Sequence, residues 1–136
     1  MALTEKTRRR IGYVMSGLVV AFMIFDGTIK LIPMDVVLEA SEVLGYLPTP
    51  ELARTLGVLG LSCTALYVYP RTAVIGAILL SAYMGGTVAS HFRVGNPLFT
   101  HVFFGVYLAL FAWGGLYLRD ARLHALLPFR KSDARV

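Results

Sequence analysis

Four long stretches that almost lack charge constrain this chain more than any other feature. Residues 11–25 and 55–70 contain no charged residue, and residues 72–92 and 94–118 each contain only a histidine. Apolar stretches of this length need a bilayer rather than a protein core around them. Hydrophobic residues make up 57% of the chain and charged residues 15%, against roughly 45–50% and about 25% in soluble domains. This pattern excludes a soluble globular enzyme, a disordered chain and a nucleic-acid-binding module.

The residues between these stretches predict an all-α integral membrane four-helix bundle that forms one transmembrane domain over residues 1–136. Thr49 can cap a helix and Pro50 suits its first position, so the second span begins there. Gly95-Asn96-Pro97 favours a turn before the last span. The spans are predicted at about 11–32, 50–69, 72–92 and 98–118, followed by a basic tail at 119–136.

A different kind of segment separates the first two spans. At about residues 34–45, apolar residues recur at steps of three and four, and acidic residues lie on the opposite face. This pattern predicts a short amphipathic helix in the membrane interface or folded over the bundle.

The basic residues predict the orientation of the chain. Ten of the 13 lysine and arginine residues fall on one side of the four-span arrangement: Lys6, Arg8, Arg9, Arg10, Arg71, Arg119, Arg122, Arg130, Lys131 and Arg135. The positive-inside rule therefore predicts that both termini face the cytoplasm and the amphipathic helix faces outward. Aromatic residues near the cytoplasmic ends, Tyr67 among them, predict an interfacial aromatic belt. The net charge of +5 indicates this topology and contact with anionic lipid, not with nucleic acid.

Among the charged residues, Asp26 and Lys30 are the strongest candidates for a functional role. They stand four residues apart on the first span, in the order that favours a helical ion pair. A lone charge at this depth costs several kcal/mol, so the pair should face inward or toward water. Two interpretations stay open. The pair neutralises itself while Lys30 extends outward, or it polarises a ligand or carries protons.

Other polar residues are predicted to converge on the outer ends of the helices. His91 and His101 bracket the third turn, Tyr83 lies on a polar face of the third span, and Arg54 lies one turn into the second. Together with aromatic residues, these groups indicate a pocket for an amphipathic molecule with a polar head, a quinone or a lipid. The candidate ligand-binding residues are Asp26, Lys30, Arg54, Tyr83, His91 and His101.

Metal and catalytic chemistry have little support in the sequence. The two histidines lack further ligands at recognisable spacing, so no metal site is predicted and haem is disfavoured. Cys63 is the single cysteine, which excludes a disulfide and a redox pair. The chain has no GxSxG, Walker or HExxH motif and no GxGxxG after a strand, and no catalytic residue is assigned.

Small residues recur every four positions in the third span. Ala73, Ala77, Ser81, Gly85 and Ala89 form this stripe. Small residues allow close approach between membrane helices. The stripe therefore predicts packing within one chain or, alternatively, a homo-oligomer interface through Ala77, Ser81, Gly85 and Ala89.

Several segments resemble the DoxX-like family of small membrane proteins. The similar segments are Gly17-Leu18 through Lys30-Leu31, Leu44-Gly45-Tyr46, Leu56-Gly57-Val58-Leu59, Tyr69-Pro70-Arg71, Gly76 through Gly86 with Ala89, His91 and Arg93, and Leu118-Arg119-Asp120. The resemblance implies a four-helix bundle in a bacterial cytoplasmic (inner) membrane. It also implies association with quinone-linked redox enzymes, whereas distant eukaryotic relatives are membrane chaperones or cargo receptors. Many relatives carry an acid within the second span, where this chain has uncharged residues 57–61.

The residues and the resemblance lead to one functional expectation and two alternatives. We expect a multi-pass membrane protein that binds a quinone or lipid in an outer-leaflet pocket and serves a quinone-linked redox enzyme as an accessory. The first alternative is a membrane assembly factor without a ligand. The second is a membrane enzyme on a lipophilic substrate, with Asp26 or a histidine as acid or base.

Overall fold

A computed structural model describes residues 2–32 and 34–128, and these residues form helices and connecting turns without a strand. The all-α prediction is confirmed. The predicted tail residues Arg130, Lys131 and Arg135 lie outside the described residues. The helices are α1 (Glu5–Leu31), α2 (Asp35–Val43), α3 (Pro50–Val68), α4 (Ala73–Arg93) and α5 (Phe104–Arg119), with a π-helical turn at Leu98–Val102 and a 3₁₀ turn at Ala121–Ala125.

Local hydrogen bonds explain where the helices begin. The Thr49 hydroxyl accepts a bond from the Leu52 amide at 3.4 Å, so the predicted cap of α3 is confirmed. A similar cap at Thr4 starts α1 at Glu5, ahead of the apolar stretch. The amides of His101 and Val102 both donate to the Pro97 carbonyl, at 3.1 and 3.2 Å. The fourth predicted span therefore opens with a wide π turn before α5.

Three helical segments in the described part of the chain are long and apolar enough to cross a membrane. They are α1, α4 and Leu98–Arg119, which joins the π turn to α5. Helix α3 is not among these three, and Glu51 and Arg54 in its first turns lower its mean hydropathy. It nevertheless packs lengthwise against α1 and α4.

The four long helices contact one another in a cyclic order around a shared interior. Helix α1 packs against α3 and α5, and α4 packs against the same two helices. We call the end that holds the start of α1 and the end of α5 the terminal end, and the opposite end the α2 end. The interior residues are almost fully buried: Val19, Met23, Cys63, Tyr67, Ala77, Leu80, Met84, Leu108, Ala112 and Leu116.

The small-residue stripe of α4 divides into two halves. Ala73 and Ala77 are buried inside the chain, and the Ser81 hydroxyl accepts a bond from Trp113 Nε1 at 2.8 Å. Gly85 and Ala89 are exposed, and a Cβ added at Gly85 would meet nothing within 4 Å. Only the half nearer the terminal end therefore packs within the chain.

Helix α2 and the loop that follows it lie over the α2 end. Val37 is the one buried residue of α2, and its acidic residues Asp35, Glu39 and Glu42 are exposed. After α2, Gly45 adopts a positive φ of 76°, which glycine accommodates without strain. The Arg93 guanidinium donates to the Leu44 carbonyl at 2.6 Å. The loop after α2 is thereby fastened to the end of α4.

Candidate functional site

Asp26, Lys30 and Tyr83 form a polar cluster near the α2 end, which we call the Asp26 cluster. Lys30 Nζ lies 2.5 Å from Asp26 Oδ2 and 3.2 Å from the Tyr83 hydroxyl. The Tyr83 hydroxyl in turn donates to the Leu56 carbonyl at 3.3 Å. Since α1 and α4 are diagonal in the cyclic order, Lys30 and Tyr83 connect them across the interior. The predicted Asp26–Lys30 pair is present, and it has an additional partner, Tyr83, on a second helix.

The helix faces explain why the pair turns inward. Met23 and Gly27 are buried on α1, and Asp26 and Lys30 each follow one of them by three residues, which places them on a neighbouring face. Gly57 and Gly60 of α3 leave room for this arrangement. A Cβ at Gly57 would lie 3.0 Å from the Lys30 Cβ atom. The glycines of α3 therefore make space for Lys30 to reach Tyr83.

The Asp26 cluster is reachable from outside and retains hydrogen-bonding capacity. The Lys30 and Asp26 side chains are 21% and 22% exposed. An ammonium group has three protons to donate. Within the described residues, Asp26 and Tyr83 accept two of them, and no protein acceptor takes the third. The Tyr83 hydroxyl already donates to Leu56, so its main role is to position Lys30.

The two candidate histidines form a second group at the same end. Their ring centroids lie 5.9 Å apart. His91 Nδ1 lies 2.7 Å from Asn96 Nδ2, and His101 Nδ1 lies 2.8 Å from the Thr100 hydroxyl. In the described ranges, no cluster of three His, Cys, Asp or Glu side chains could hold a metal ion.

The remaining candidate, Arg54, is separate from both groups. Its side chain is exposed on α3 and makes no hydrogen bond or ion pair to the Asp26 cluster or the histidines.

An apolar groove of about 470 Å³ does not include any residue of the Asp26 cluster. It is lined by Ile24, Leu61, Thr64, Ala65, Val68, Tyr69 and Pro70. Because Asp26 and Lys30 are about one-fifth exposed and do not line this groove, the Asp26 cluster is an open polar site rather than an enclosed cavity.

A buried hydrogen-bonded chain near the terminal end was not predicted from the sequence. Arg119 Nε donates to the Ser16 hydroxyl at 3.1 Å, and Ser16 lies 2.8 Å from the Tyr67 hydroxyl. Tyr67 donates to the Ala112 carbonyl at 2.7 Å. We call Ser16, Tyr67 and Arg119 the Tyr67 network. Tyr67 is completely buried, so its assignment to an interfacial aromatic belt was wrong. A tyrosine at the end of an apolar helix fits either setting, because its ring is apolar and its hydroxyl is polar.

Replacing Tyr67 by phenylalanine is expected to destabilise the protein by about 2 kcal/mol, because Ser16 and the Ala112 carbonyl lose their buried partner. The measurement is the unfolding free energy in a denaturing-detergent titration. Tyr69→Phe is the matched control, because Tyr69 is 53% exposed and two residues away. Equal effects of the two substitutions would show that the network contributes nothing specific.

The chain matches one known protein family over most of its length. The sequence profile of the DoxX-like family matches residues 14–115, about three quarters of the chain. The chain belongs to the DoxX-like family. No curated protein and no solved structure matches the sequence significantly.

Family membership and the apolar helices together make this DoxX-like chain a membrane protein. The matched segment contains all six candidate residues and two members of the Tyr67 network, Ser16 and Tyr67. Arg119 lies beyond the match. The Asp26 cluster therefore lies wholly within the segment that matches the family, although the match itself assigns no ligand.

Proposed function

We propose that this DoxX-like protein binds the polar head of a small lipophilic molecule, a quinone or a lipid, at the Asp26 cluster. In this proposal it crosses a bacterial cytoplasmic membrane four times, with both termini in the cytoplasm. It then serves as an accessory to a quinone-linked redox enzyme. The α2 end faces outward, so the ligand head lies in the outer leaflet.

One observation carries the binding proposal: a one-fifth-exposed ion pair lies among apolar helices, with a lysine proton still to donate. Ionisable residues within membrane segments are costly, and they usually serve a pathway or a ligand. A quinone carbonyl or a lipid ester oxygen accepts hydrogen bonds, so either group suits the Lys30 ammonium. Asp26 supplies a counter-charge to Lys30 and fixes its position.

Aromatic side chains near the Asp26 cluster suit the apolar part of such a ligand. Phe25, next to Asp26, is 64% exposed. The rings of Phe22 and Phe104 meet edge to face, with centroids 5.0 Å apart. Ligand sites commonly combine a few polar groups with apolar and aromatic walls.

The proposed topology requires α3 to cross the membrane as well, in addition to the three long apolar segments. Its 19 residues give a length of about 28 Å, close to the thickness of a hydrocarbon core. Glu51 and Arg54 lie in its first turns, where charged side chains can reach the interface. The excess of basic residues at the terminal end supports a cytoplasmic location for both termini.

The test is to identify the quinones and lipids that the protein retains after gentle extraction, by mass spectrometry. The variant is Asp26→Asn with Lys30→Gln, which removes both charges together and leaves neither unpaired. We expect the wild type to retain a specific lipophilic molecule and the double variant to retain at least tenfold less at equal abundance. Glu51→Gln is the control, because Glu51 is exposed near the same end. If the wild type retains no specific molecule, or both variants retain it equally, the binding proposal is wrong.

A second candidate function is a membrane assembly factor without a ligand. It is favoured by the contacts of Lys30, which already has Asp26 and Tyr83 as partners within the chain and needs no ligand to be stabilised. The Asp26 cluster would then serve stability alone. In that case, the double variant lowers the abundance of the protein and of any enzyme that depends on it, and the wild type retains no specific ligand.

A further inference from the structure

A second polar site lies at the terminal end, far from the Asp26 cluster. Its central residue is Arg119, at the end of α5. The Arg119 guanidinium lies 5.3 Å from the centre of the Tyr67 ring and 5.8 Å from the centre of the Tyr13 ring. Its Nε atom donates to Ser16 at 3.1 Å. Three contacts thus hold the side chain in place, while its other donors have no carboxylate partner among the described residues.

Tyr13 connects Arg119 to a basic cleft on the first turns of α1. The cleft has a volume of about 480 Å³ and is lined by Glu5, Lys6, Arg9, Arg10 and Tyr13. Lys6, Arg9, Arg10 and Tyr13 follow one another at steps of three, one and three residues, so they share one face of the helix. The cleft itself has three cations and one carboxylate, Glu5, and Arg119 adds a further cation beside Tyr13.

Apolar side chains continue directly from this basic cleft along the same helix. Ile11, Val14 and Leu18 are 38%, 63% and 57% exposed. A ligand that matches both parts has an anionic head beside the arginines and an apolar tail beside these residues. A phospholipid has this form, whereas a nucleic acid or an acidic peptide has no such tail.

We propose that this end of the protein binds the headgroup phosphate of an anionic phospholipid. The Arg119 and Arg10 guanidinium groups donate to the phosphate oxygens, because arginine matches phosphate geometry in a two-pronged arrangement. Lys6 and Arg9 add favourable charge, and the acyl chains lie along α1. The site is independent of the ligand proposed for the Asp26 cluster.

The test compares retention of phosphatidylglycerol and phosphatidylcholine by purified protein in mixed micelles, measured by native mass spectrometry. We expect phosphatidylglycerol to be retained in preference. Arg10→Gln and Arg119→Gln should each reduce its retention about fivefold, the effect of removing one cation near an anionic lipid. Arg10 is exposed on α1, so Arg10→Gln tests the site even if Arg119→Gln disturbs the Tyr67 network.

Arg122→Gln is the matched control, since it removes one positive charge at the same end. Arg122 is exposed and already paired with Asp120 through bonds of 2.9 and 2.8 Å. This pairing also holds the pKa of the Asp120 carboxyl below its ordinary value. We expect Arg122→Gln to retain phosphatidylglycerol like the wild type. An equal loss in all three variants would reveal general charge attraction instead of a site and would overturn the proposal, as would equal retention of both lipids by the wild type.

Discussion

Replacing Asp26 alone by asparagine is expected to lower the free energy of unfolding by about 2 kcal/mol. The substitution leaves the Lys30 ammonium between apolar helices without its counter-charge. Breaking a fully buried pair from one side costs about 3–5 kcal/mol. The smaller value applies here because both side chains are about one-fifth exposed. Lys30→Met should cost a similar amount, because it leaves the Asp26 carboxylate unpaired.

A double-mutant cycle separates the ion pair from the two side chains. The combined variant Asp26→Asn with Lys30→Met should cost about 1 kcal/mol less than the sum of the single variants, because it leaves no lone charge. Denaturing-detergent titration of the wild type, the two single variants and the combined variant gives the four free energies of unfolding. Simple additivity would mean that Asp26 and Lys30 do not interact in the membrane. It would also remove the physical basis for Asp26 as the residue that holds Lys30 in place.

Replacing Gly76 by alanine is expected to destabilise the protein by about 3 kcal/mol. A Cβ at this position would overlap the backbone of Leu66 and Tyr67 in α3, and the backbone cannot move aside as a flexible side chain can. Overpacking usually costs about 1–3 kcal/mol, and the rigid obstacle here places the cost at the upper end. The helices would have to separate, which would also disturb the Tyr67 network.

The matched control is Gly86→Ala on the same helix, where an added Cβ would meet nothing within 4 Å. Alanine favours the helical state over glycine by about 1 kcal/mol, so this variant should unfold at higher denaturant than the wild type. Thermal or detergent unfolding of both variants makes the comparison. If Gly76→Ala is tolerated as well as Gly86→Ala, α3 and α4 are not in close contact at Gly76.

Much of the helical framework could be predicted because it depends on local sequence. An apolar stretch with a cap and a proline, as at Thr49-Pro50, specifies where a helix begins without reference to the rest of the fold. The structure at the start of the fourth predicted span, residues 98–102, could not be predicted in this way. Its π turn depends on two amides that share the Pro97 carbonyl, which an apolar stretch does not reveal.

The contacts between helices could be predicted only in part. The spacing of Asp26 and Lys30 indicates a pair on one helix, but their connection to Tyr83 depends on which helices are diagonal. The stripe in α4 predicts close helix packing at Gly85, whereas Gly76 is the glycine of α4 that lies against the backbone of another helix. Residue spacing gives the face of a helix but not the neighbour that the face meets. Tyr67 was misassigned for the same reason.

The side chains in the middle of the interior bear on whether protons could pass between the Asp26 cluster and the Tyr67 network. The Asp26 cluster and the Tyr67 network begin about 15 Å apart along α1, at Asp26 and Ser16. Between them lie Val19, Met23 and Leu80, each at most 1% exposed. These three side chains carry no titratable group between the two ends. In the proposed topology, the two polar sites face opposite sides of the membrane, so each can serve a separate ligand.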